Sequence, residues 1–155
     1  MAPAANQERD LPLGELLARA GLVAPNELYA ALATARASGR RLGDLLVEQE
    51  LVSERDLAMV VARQEGLEFV DLGKHDLDQQ VVDVLSERTS RRHRAIAFHS
   101  GDGATIVAVA DPTDNEGLDA IVAEVPGGVR FVVATADEVD AALTEAFGEA
   151  PAEGW

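Results

Sequence analysis

The sequence predicts an α+β protein with two parts, an N-terminal four-helix repeat subdomain followed by a small three-stranded α/β sandwich. Three observations predict this class. Apolar residues recur at helical spacing up to about residue 66, short strand-like runs alternate with helical segments after it, and the helical part contains an internal repeat. We place the helical subdomain at residues 11–66 and the α+β subdomain at residues 67–148, between aperiodic tails at 1–10 and 149–155.

The repeat offsets equivalent residues by twenty-nine positions, so that Leu13–Leu17 returns as Leu42–Leu46 and Leu28 returns as Leu57. A constant offset of this kind indicates one helical unit used twice. Two stacked copies create a seam with near-twofold chemistry, which suits a flat or symmetric ligand. The plainer interpretation of the repeated leucines is that they form the core of a helical bundle.

The predicted helices of the repeat have recognisable ends. Gly21 and Gly39 are typical of helix C-terminal stops. Ser53 and Asp56 predict a capping box in which Asp replaces the usual Glu, whereas Pro25 supplies the first helical position in the first repeat. The two copies are therefore predicted to be built alike but capped differently.

The α+β subdomain opens with a short apolar segment at residues 67–72, which we interpret as the link between the two parts. A helix from Leu77 to Arg92 is predicted next, followed by a strand at 95–98, a hairpin turn at 100–103 and a strand at 105–109. Residues 111–114 then begin a helix that reaches about Val122, and a third strand follows at 129–133. Residues 135–138 cap the last predicted helix, which ends at Phe147.

The composition excludes several classes of function. The 28 Asp and Glu residues against 13 Lys and Arg give a formal net charge of -15, so the phosphates of nucleic acid or of anionic lipid are repelled. The absence of cysteine excludes thiolate chemistry, and His75, His93 and His99 lack the spacing of metal ligands. Because the sequence shows no secretion signal and no apolar run of membrane-spanning length, we expect a cytoplasmic protein without membrane insertion.

One basic cluster stands out against this acidic background, and it consists of Arg88, Arg91, Arg92, His93 and Arg94. Its cations either complement a helix C-terminus, as the helix dipole favours, or form a patch that docks a partner protein. The carboxylates of residues 111–114 similarly suggest either a site or a helix cap, and we predict capping.

The order and spacing of several segments resemble the N-terminal domain of type II secretion and type IV pilus assembly ATPases. The segments are Arg41–Asp44, the twenty-four-residue stretch that ends at Gln64, and residues 67–72, 91–96 and 108–114. The resemblance implies a noncatalytic module. The sequence also lacks the glycine-rich loop with Lys and Ser or Thr that cradles phosphates, so we expect no enzyme activity.

In the MshEN branch of that family, each repeat opens with Arg-Leu-Gly and closes with Gln, and the paired repeats bind the bacterial second messenger cyclic di-GMP. By this resemblance the second repeat is competent to bind the ligand, and its matching residues are Arg41, Leu42, Gly43, Asp44, Leu57, Val61 and Gln64. The first repeat has Pro12 and Ala35 in place of the Arg and the Gln, and it keeps only Leu13, Gly14, Leu28 and Leu32.

The predicted cyclic di-GMP motif is therefore one-sided and weakened. Loss of the first Arg alone removes a hydrogen bond to an ionised group, which costs about 1.5–3 kcal/mol. Glu50 stands where the first repeat has Gly21, and we expect this difference to reshape the turn after the third helix.

The resemblance implies an adaptor that docks a cytoplasmic protein of a secretion, pilus or motility system, because the equivalent domain contacts the membrane platform and relays signals to the motor. The alternative is a cyclic di-GMP receptor, with the cyclic dinucleotide as ligand and with no cofactor or metal. Under the plainest interpretation, Arg41 and Gln64 are a solvated surface pair.

Overall fold

The computed structural model describes residues 13–101 and 103–149. These residues form two compact units with the boundary between Gln64 and Glu65, two residues before the boundary predicted from the sequence. The predicted tails lie outside the described residues, apart from Glu149. Within the described ranges, no helix combines the length and the apolar character needed to cross a bilayer.

The described part of the first unit, residues 13–64, contains four helices, as predicted: α1 at residues 13–19, α2 at Pro25–Ser38, α3 at Leu42–Glu48 and α4 at Glu54–Gln64. The predicted helix ends are present. Ser53 Oγ accepts a hydrogen bond from the Asp56 N–H at 3.0 Å, and Pro25 stands in the first turn of α2. Gly39 ends α2 in the left-handed conformation, with φ of 73°.

The core of the first unit is one apolar cluster, and its members follow the twenty-nine-residue repeat. Each member has its counterpart twenty-nine positions away, and the counterpart belongs to the same cluster. The pairs are Leu13 with Leu42, Leu17 with Leu46, Leu22 with Leu51, Val23 with Val52, Leu28 with Leu57, Ala31 with Val60, and Leu32 with Val61. The interpretation of the repeated leucines as a bundle core is therefore confirmed.

The turns that follow α1 and α3 have the same backbone hydrogen bonds. After α1, the Leu22 N–H donates to the Leu17 carbonyl, and after α3 the Leu51 N–H donates to the Leu46 carbonyl. The expectation that Glu50 reshapes the second turn is wrong, because Glu50 adopts φ of 59° where Gly21 has 72°. The fold thus keeps the turn and places a non-glycine residue in the left-handed region.

The second unit is built on a four-stranded sheet rather than the predicted three-stranded one. The strands are β1 at Glu68–Phe69, β2 at Ala95–Gly101, β3 at Ala104–Val109 and β4 at Gly128–Val133. Their order is β1-β4-β3-β2, with β4 parallel to both β1 and β3 and with β2 antiparallel to β3.

The extra strand, β1, lies in the segment that we had interpreted as a link. Its two residues pair with β4, Glu68 with Val132 and Phe69 with Val133. Two residues carry no alternating pattern, so this strand exists only because β4 is present beside it.

The helices of the second unit differ from the prediction at one place. The single helix expected from Leu77 to Arg92 is two short helices, α5 at Gln79–Val82 and α6 at Glu87–Arg92. They are separate because Ser86 caps α6, with its Oγ accepting the Thr89 N–H at 3.2 Å. A 3-10 turn at Leu72–Lys74 precedes them.

Two longer helices complete the unit, α7 at Asn115–Glu124 and α8 at Ala136–Phe147. Both caps predicted for them are present, since Asp114 accepts the Gly117 N–H at 3.0 Å and Thr135 accepts the Glu138 N–H at 3.2 Å. In a complete capping box the Glu138 carboxylate would accept the Thr135 N–H. Here this carboxylate accepts a hydrogen bond from the Gly73 N–H instead.

The sheet separates two apolar cores. One core contains Leu72, Ile96, Val132 and Leu143 among its buried residues, and the other contains Leu85, Val107 and Ile121. Residues of β2 and β3 contribute to both cores because successive side chains of a strand point to opposite faces.

Candidate functional site

The polar residues of the proposed ligand motif lie at the two ends of the second repeat. Arg41 is exposed and extended, and it directly precedes α3, whereas Gln64 is half-buried and is the last residue of α4. Asp44 lies in the first turn of α3 and is exposed. The second repeat thus presents a guanidinium at the start of one helix and an amide at the end of the next.

The glycines of the two motifs bring helices into close contact. A Cβ built on Gly43 would lie 3.0 Å from a methyl carbon of Leu57, and a Cβ on Gly14 would lie 3.2 Å from a methyl carbon of Leu28. The same contact therefore occurs in both repeats, between α1 and α2 and between α3 and α4. These four candidate ligand residues have a packing role that accounts for their presence in both copies.

The apolar candidates divide into two groups by exposure. Leu42 is fully buried and Leu13 is only 7% exposed, so neither presents a surface to a ligand in this conformation. The half-buried side chains pack at the edge of the core and keep part of their surface open, and they are Leu28, Leu32, Leu57 and Val61.

The first repeat differs from the second at the position of the closing Gln. Ala35 is only 3% exposed, and its carbonyl accepts the N–H of Gly39 at the end of α2. This position therefore serves the helix packing and the helix end. Pro12, at the position of the opening Arg, lies outside the described residues.

A charged stripe runs along the exposed side of α3, and the sequence analysis missed it. Arg40 forms an ion pair with Glu48, eight residues on, and Asp44 lies between them in sequence. The hydrogen bond between the two side chains raises the pKa of Arg40 and lowers that of Glu48. The four-residue spacing of these charges was the signal that could have revealed the stripe.

The basic cluster does not form one continuous patch. The Arg91 side chain is only 10% exposed, with Nε bonded to Glu87 at 2.8 Å and Nη2 bonded to the Gly148 carbonyl at 2.6 Å. Its guanidinium carbon also lies 6.0 Å from the centre of the Phe147 ring. Arg91 therefore ties α6 to the end of α8, which is a structural role.

The other residues of the cluster fall into two groups. Arg94 pairs with Asp140 at 3.2 Å, and His93 Nδ1 lies 3.2 Å from the capping carboxylate of Asp114. Arg88 and Arg92, four residues apart on α6, have exposed side chains. Only this second pair is available as a cationic surface within the described part of the cluster.

The acidic segment at residues 111–114 caps a helix, as predicted. Asp111 Oδ1 accepts the Thr113 N–H at 2.9 Å, and Asp114 caps α7. Across residues 13–101 and 103–149, no group of three His, Cys, Asp or Glu side chains is arranged to hold a metal ion.

An open groove of about 300 Å³ lies on one face of the sheet, and the sequence analysis did not predict it. Its lining residues are Glu68, Val70, His75, Phe98, His99, Ile106, Arg130 and Val132. A bulge in β2, between Ala97 and His99, interrupts the pairing with β3 there. Two of the lining residues, Arg130 and Glu68, form an ion pair at 3.0 Å, which joins β4 to the neighbouring β1.

A family model described as the MshEN domain matches residues 65–153, which is more than half of the chain. The chain belongs to the MshEN domain family. The matched residues begin where the second unit begins, so the two repeats of this MshEN domain lie before the matched region.

Curated relatives of this MshEN domain include type IV pilus assembly ATPases named PilB. The Thermus thermophilus protein is 32% identical over 114 residues, covering 72% of this chain and 13% of the relative. The Myxococcus xanthus protein is 23% identical over 137 residues, covering 88% of this chain and 24% of the relative. The chain thus spans a quarter or less of the length of these relatives.

Solved structures resemble the domain over most of its length. A structure of MshE with cyclic di-GMP has a TM-score of 0.78 at 31% identity, covering 87% of this chain and 98% of that one. The N-terminal domain of XpsE has a TM-score of 0.71 at 25% identity, covering 96% of this chain and all of that one. This MshEN domain therefore resembles the N-terminal domains of secretion and pilus ATPases.

Proposed function

We propose that this MshEN domain is a noncatalytic regulatory module whose second repeat binds cyclic di-GMP. The observation that supports this most is the retention of Arg41 and Gln64 on a repeat whose turn keeps its geometry despite Glu50. The sequence alone favoured partner docking. The similarity to the structure of MshE with cyclic di-GMP, over 87% of the chain, favours ligand binding over partner docking as the proposed function.

The proposed chemistry divides the contacts between polar and apolar side chains. The Arg41 guanidinium donates charge-assisted hydrogen bonds to a phosphate or to the acceptor edge of guanine. The Gln64 amide orients the base, and the half-buried Leu57 and Val61 pack against the purine. Leu42 supports this arrangement from the core without touching the ligand.

The first repeat contributes less to the proposed site. Ala35 and Pro12 provide no polar side chain where the second repeat has Gln64 and Arg41. Loss of the Arg hydrogen bond alone weakens binding by roughly one to two orders of magnitude relative to a motif complete in both repeats.

Calorimetric titration of the purified chain with cyclic di-GMP tests the proposal. We expect measurable binding, lost or strongly weakened in Arg41→Ala and in Gln64→Ala, and unchanged in Arg36→Ala, an exposed cation on α2 that serves as the matched control. Pro12→Arg restores the opening Arg of the first repeat and should tighten binding. Absence of heat and of thermal stabilisation at high micromolar ligand refutes the proposal.

A second candidate function is the docking of a cytoplasmic protein of a secretion, pilus or motility system. It is favoured by the exposed pair Arg88 and Arg92, which stands out on a chain of formal net charge -15. Such a pair complements an acidic surface on the partner.

The docking candidate is tested by titrating the chain with the purified cytoplasmic part of the assembly platform from the same cell. Arg88→Glu combined with Arg92→Glu should abolish binding, whereas Arg36→Glu should leave it intact. Arg91 is unsuitable for this test because its side chain also donates a hydrogen bond to the Gly148 carbonyl, so its substitution would change the fold as well as the charge. Equal binding by the double variant and the wild type removes the patch from consideration.

A further inference from the structure

The groove on the sheet of the second unit is a cavity that the proposed function does not use. Its volume of about 300 Å³ is at the lower end of the range of small-molecule pockets, which is enough for one aromatic ring with short substituents. All of its lining residues belong to the second unit, so the groove is formed without any residue of the two repeats.

The floor of the groove is apolar. Phe98 and Val132 are buried in the core beneath it, and the half-buried Ile106 packs against the same core. These residues come from the three neighbouring strands β2, β4 and β3, so their side chains lie next to one another on one face of the sheet. The His75 ring stands against Phe98 in an edge-to-face contact, with 5.3 Å between the ring centres. A planar apolar group is the shape that covers such a floor.

The bulge in β2 turns an imidazole toward this floor. Ala97 belongs to the core on the opposite face of the sheet, and strict alternation after Phe98 would return His99 to that opposite face. Because the bulge lies between Ala97 and His99, His99 pairs instead with Ile106, which packs on the groove side. Phe98 and His99 therefore line the groove together, although they are consecutive in sequence.

His99, Ile106 and Arg130 form one row across the sheet. His99 pairs with Ile106 in the register of β2 and β3, and Ile106 pairs with Arg130 in the register of β3 and β4. Since neighbouring strands lie about 4.8 Å apart, the backbones of His99 and Arg130 are about 10 Å apart, with Ile106 between them. An imidazole and a guanidinium thus stand at the two ends of a short apolar stretch.

The charges of the lining residues favour an anion. Arg130, His75 and His99 outnumber Glu68 among the described lining residues, whereas the whole chain has 28 acidic residues against 13 Lys and Arg. Arg130 Nη2 donates to Glu68 Oε2 at 3.0 Å, which uses one of the five N–H donors of a guanidinium. The Arg130 side chain is 62% exposed, so a ligand can reach it.

The same residues favour a carboxylate over a phosphate. A guanidinium binds either anion through parallel hydrogen bonds, but the nearby Glu68 repels a doubly charged phosphate more than a singly charged carboxylate. At the other end of the row, the His99 imidazole carries an N–H donor in either protonation state. A hydroxyl on the far side of the ligand ring would complement it.

We propose that this groove binds a small aromatic carboxylate, with the ring on Ile106 and Phe98, the carboxylate on Arg130, and a hydroxyl opposite the carboxylate on His99. The site is additional to the proposed cyclic di-GMP site and does not depend on it.

The test is a titration of the isotope-labelled full chain with benzoate, 4-hydroxybenzoate and benzamide, followed by two-dimensional amide NMR spectra. Benzoate should cause saturable shifts centred on His99, Ile106 and Arg130, with a dissociation constant on the order of millimolar because the ligand is small and the groove is open. The 4-hydroxybenzoate should bind more tightly, and benzamide, which is the same size but uncharged, should bind more weakly.

Variants with opposite expected effects separate binding from damage to the fold. Arg130→Gln should weaken the binding of benzoate about two- to fivefold, and Glu68→Gln should tighten it by a similar factor because it removes a like charge. His99→Ala should abolish the advantage of 4-hydroxybenzoate over benzoate. Arg88→Gln removes an exposed cation of the second unit outside the groove and is the matched control, which should bind like the wild type.

The proposal is wrong if benzoate causes no saturable shift at the groove up to about 20 mM, or if benzamide binds as well as benzoate. It is also wrong if Arg130→Gln and Glu68→Gln both keep the wild-type affinity. Calorimetry with cyclic di-GMP tests the proposed function separately, and Arg130→Gln should leave that binding unchanged.

Discussion

Glu50, in the turn after α3, has a left-handed backbone conformation. We therefore predict that Glu50→Gly stabilises the protein. Glu50 has φ of 59° and an exposed side chain, and its backbone N–H donates to the Val47 carbonyl, as that of Gly21 donates to Ala18. The turn geometry is thus the same in both repeats, but only Gly21 adopts it without strain.

The expected magnitude is the difference between two effects. A non-glycine residue in the left-handed region costs about 1–2 kcal/mol, which Gly at position 50 recovers. Glycine also makes the unfolded chain more flexible, which costs about 0.4–1 kcal/mol. The net stabilisation is about 0.5–1 kcal/mol, which for a chain of this size raises the melting temperature by about 1–4 °C.

Equilibrium urea denaturation followed by far-ultraviolet circular dichroism measures this change. Gly21→Ala is the reverse experiment and should destabilise by about 0.5–1 kcal/mol. Gln49→Gly is the matched control, because Gln49 is the neighbouring residue and has φ of -82°. Glycine there relieves no strain and should destabilise by about 0.5–1 kcal/mol.

The outcome that contradicts this reasoning is a Glu50→Gly variant whose denaturation midpoint is equal to or below that of the wild type. A result in which Glu50→Gly and Gln49→Gly shift the midpoint in the same direction would show that the backbone angle does not control the effect.

Three further predictions concern the second unit. Burial raises the pKa of Glu124, but hydrogen bonds from the Thr89 hydroxyl and from Ser86 outweigh it and hold this pKa below its usual value of 4.5. Glu124→Gln should therefore destabilise the protein at neutral pH by about 0.5–1 kcal/mol, a value limited by solvent screening. Because a depressed pKa favours the folded state above pH 4.5, the difference in stability between the variant and the wild type should vanish as the pH falls through the folded-state pKa. Urea titrations at several pH values measure this difference. Ser90 is fully buried, and its hydroxyl has no hydrogen-bond partner among the described residues, so Ser90→Ala should stabilise by about 0.5–1 kcal/mol in urea denaturation. Arg91→Ala should destabilise by about 1–3 kcal/mol because it releases the end of α8, whereas a thermal melt of Arg92→Ala should match the wild type.

Local signals in the sequence were enough to predict the helices of the first unit. The capping by Ser53 and the stop at Gly39 act within one helical turn, and the leucine periodicity specifies which face is buried. The same holds for the Asp114 and Thr135 caps, whose side chains bond to backbone three residues away. Each of these features needs only neighbouring residues, so the sequence contains all of the relevant information.

Features that depend on distant contacts could not be predicted in the same way. The strand β1 is defined by pairing with residues more than sixty positions later in the chain. The break before α6 depends on the Ser86 cap, whereas the apolar pattern over residues 77–92 predicted one continuous helix. The sheet groove likewise joins residues from separate strands at a bulge. No periodicity within any one segment encodes these arrangements.

The candidate site shows the same division between sequence and tertiary structure. The repeat, its twenty-nine-residue offset and the loss of Arg and Gln from the first copy are properties of the sequence itself. Only the structure decided that Gly43 packs against Leu57, that Leu42 is inaccessible, that Arg91 holds the end of α8, and that Glu50 keeps the turn it was expected to change. The physical reason is that residue types and spacing specify which groups are present, whereas burial and partnership depend on packing between segments far apart in the chain.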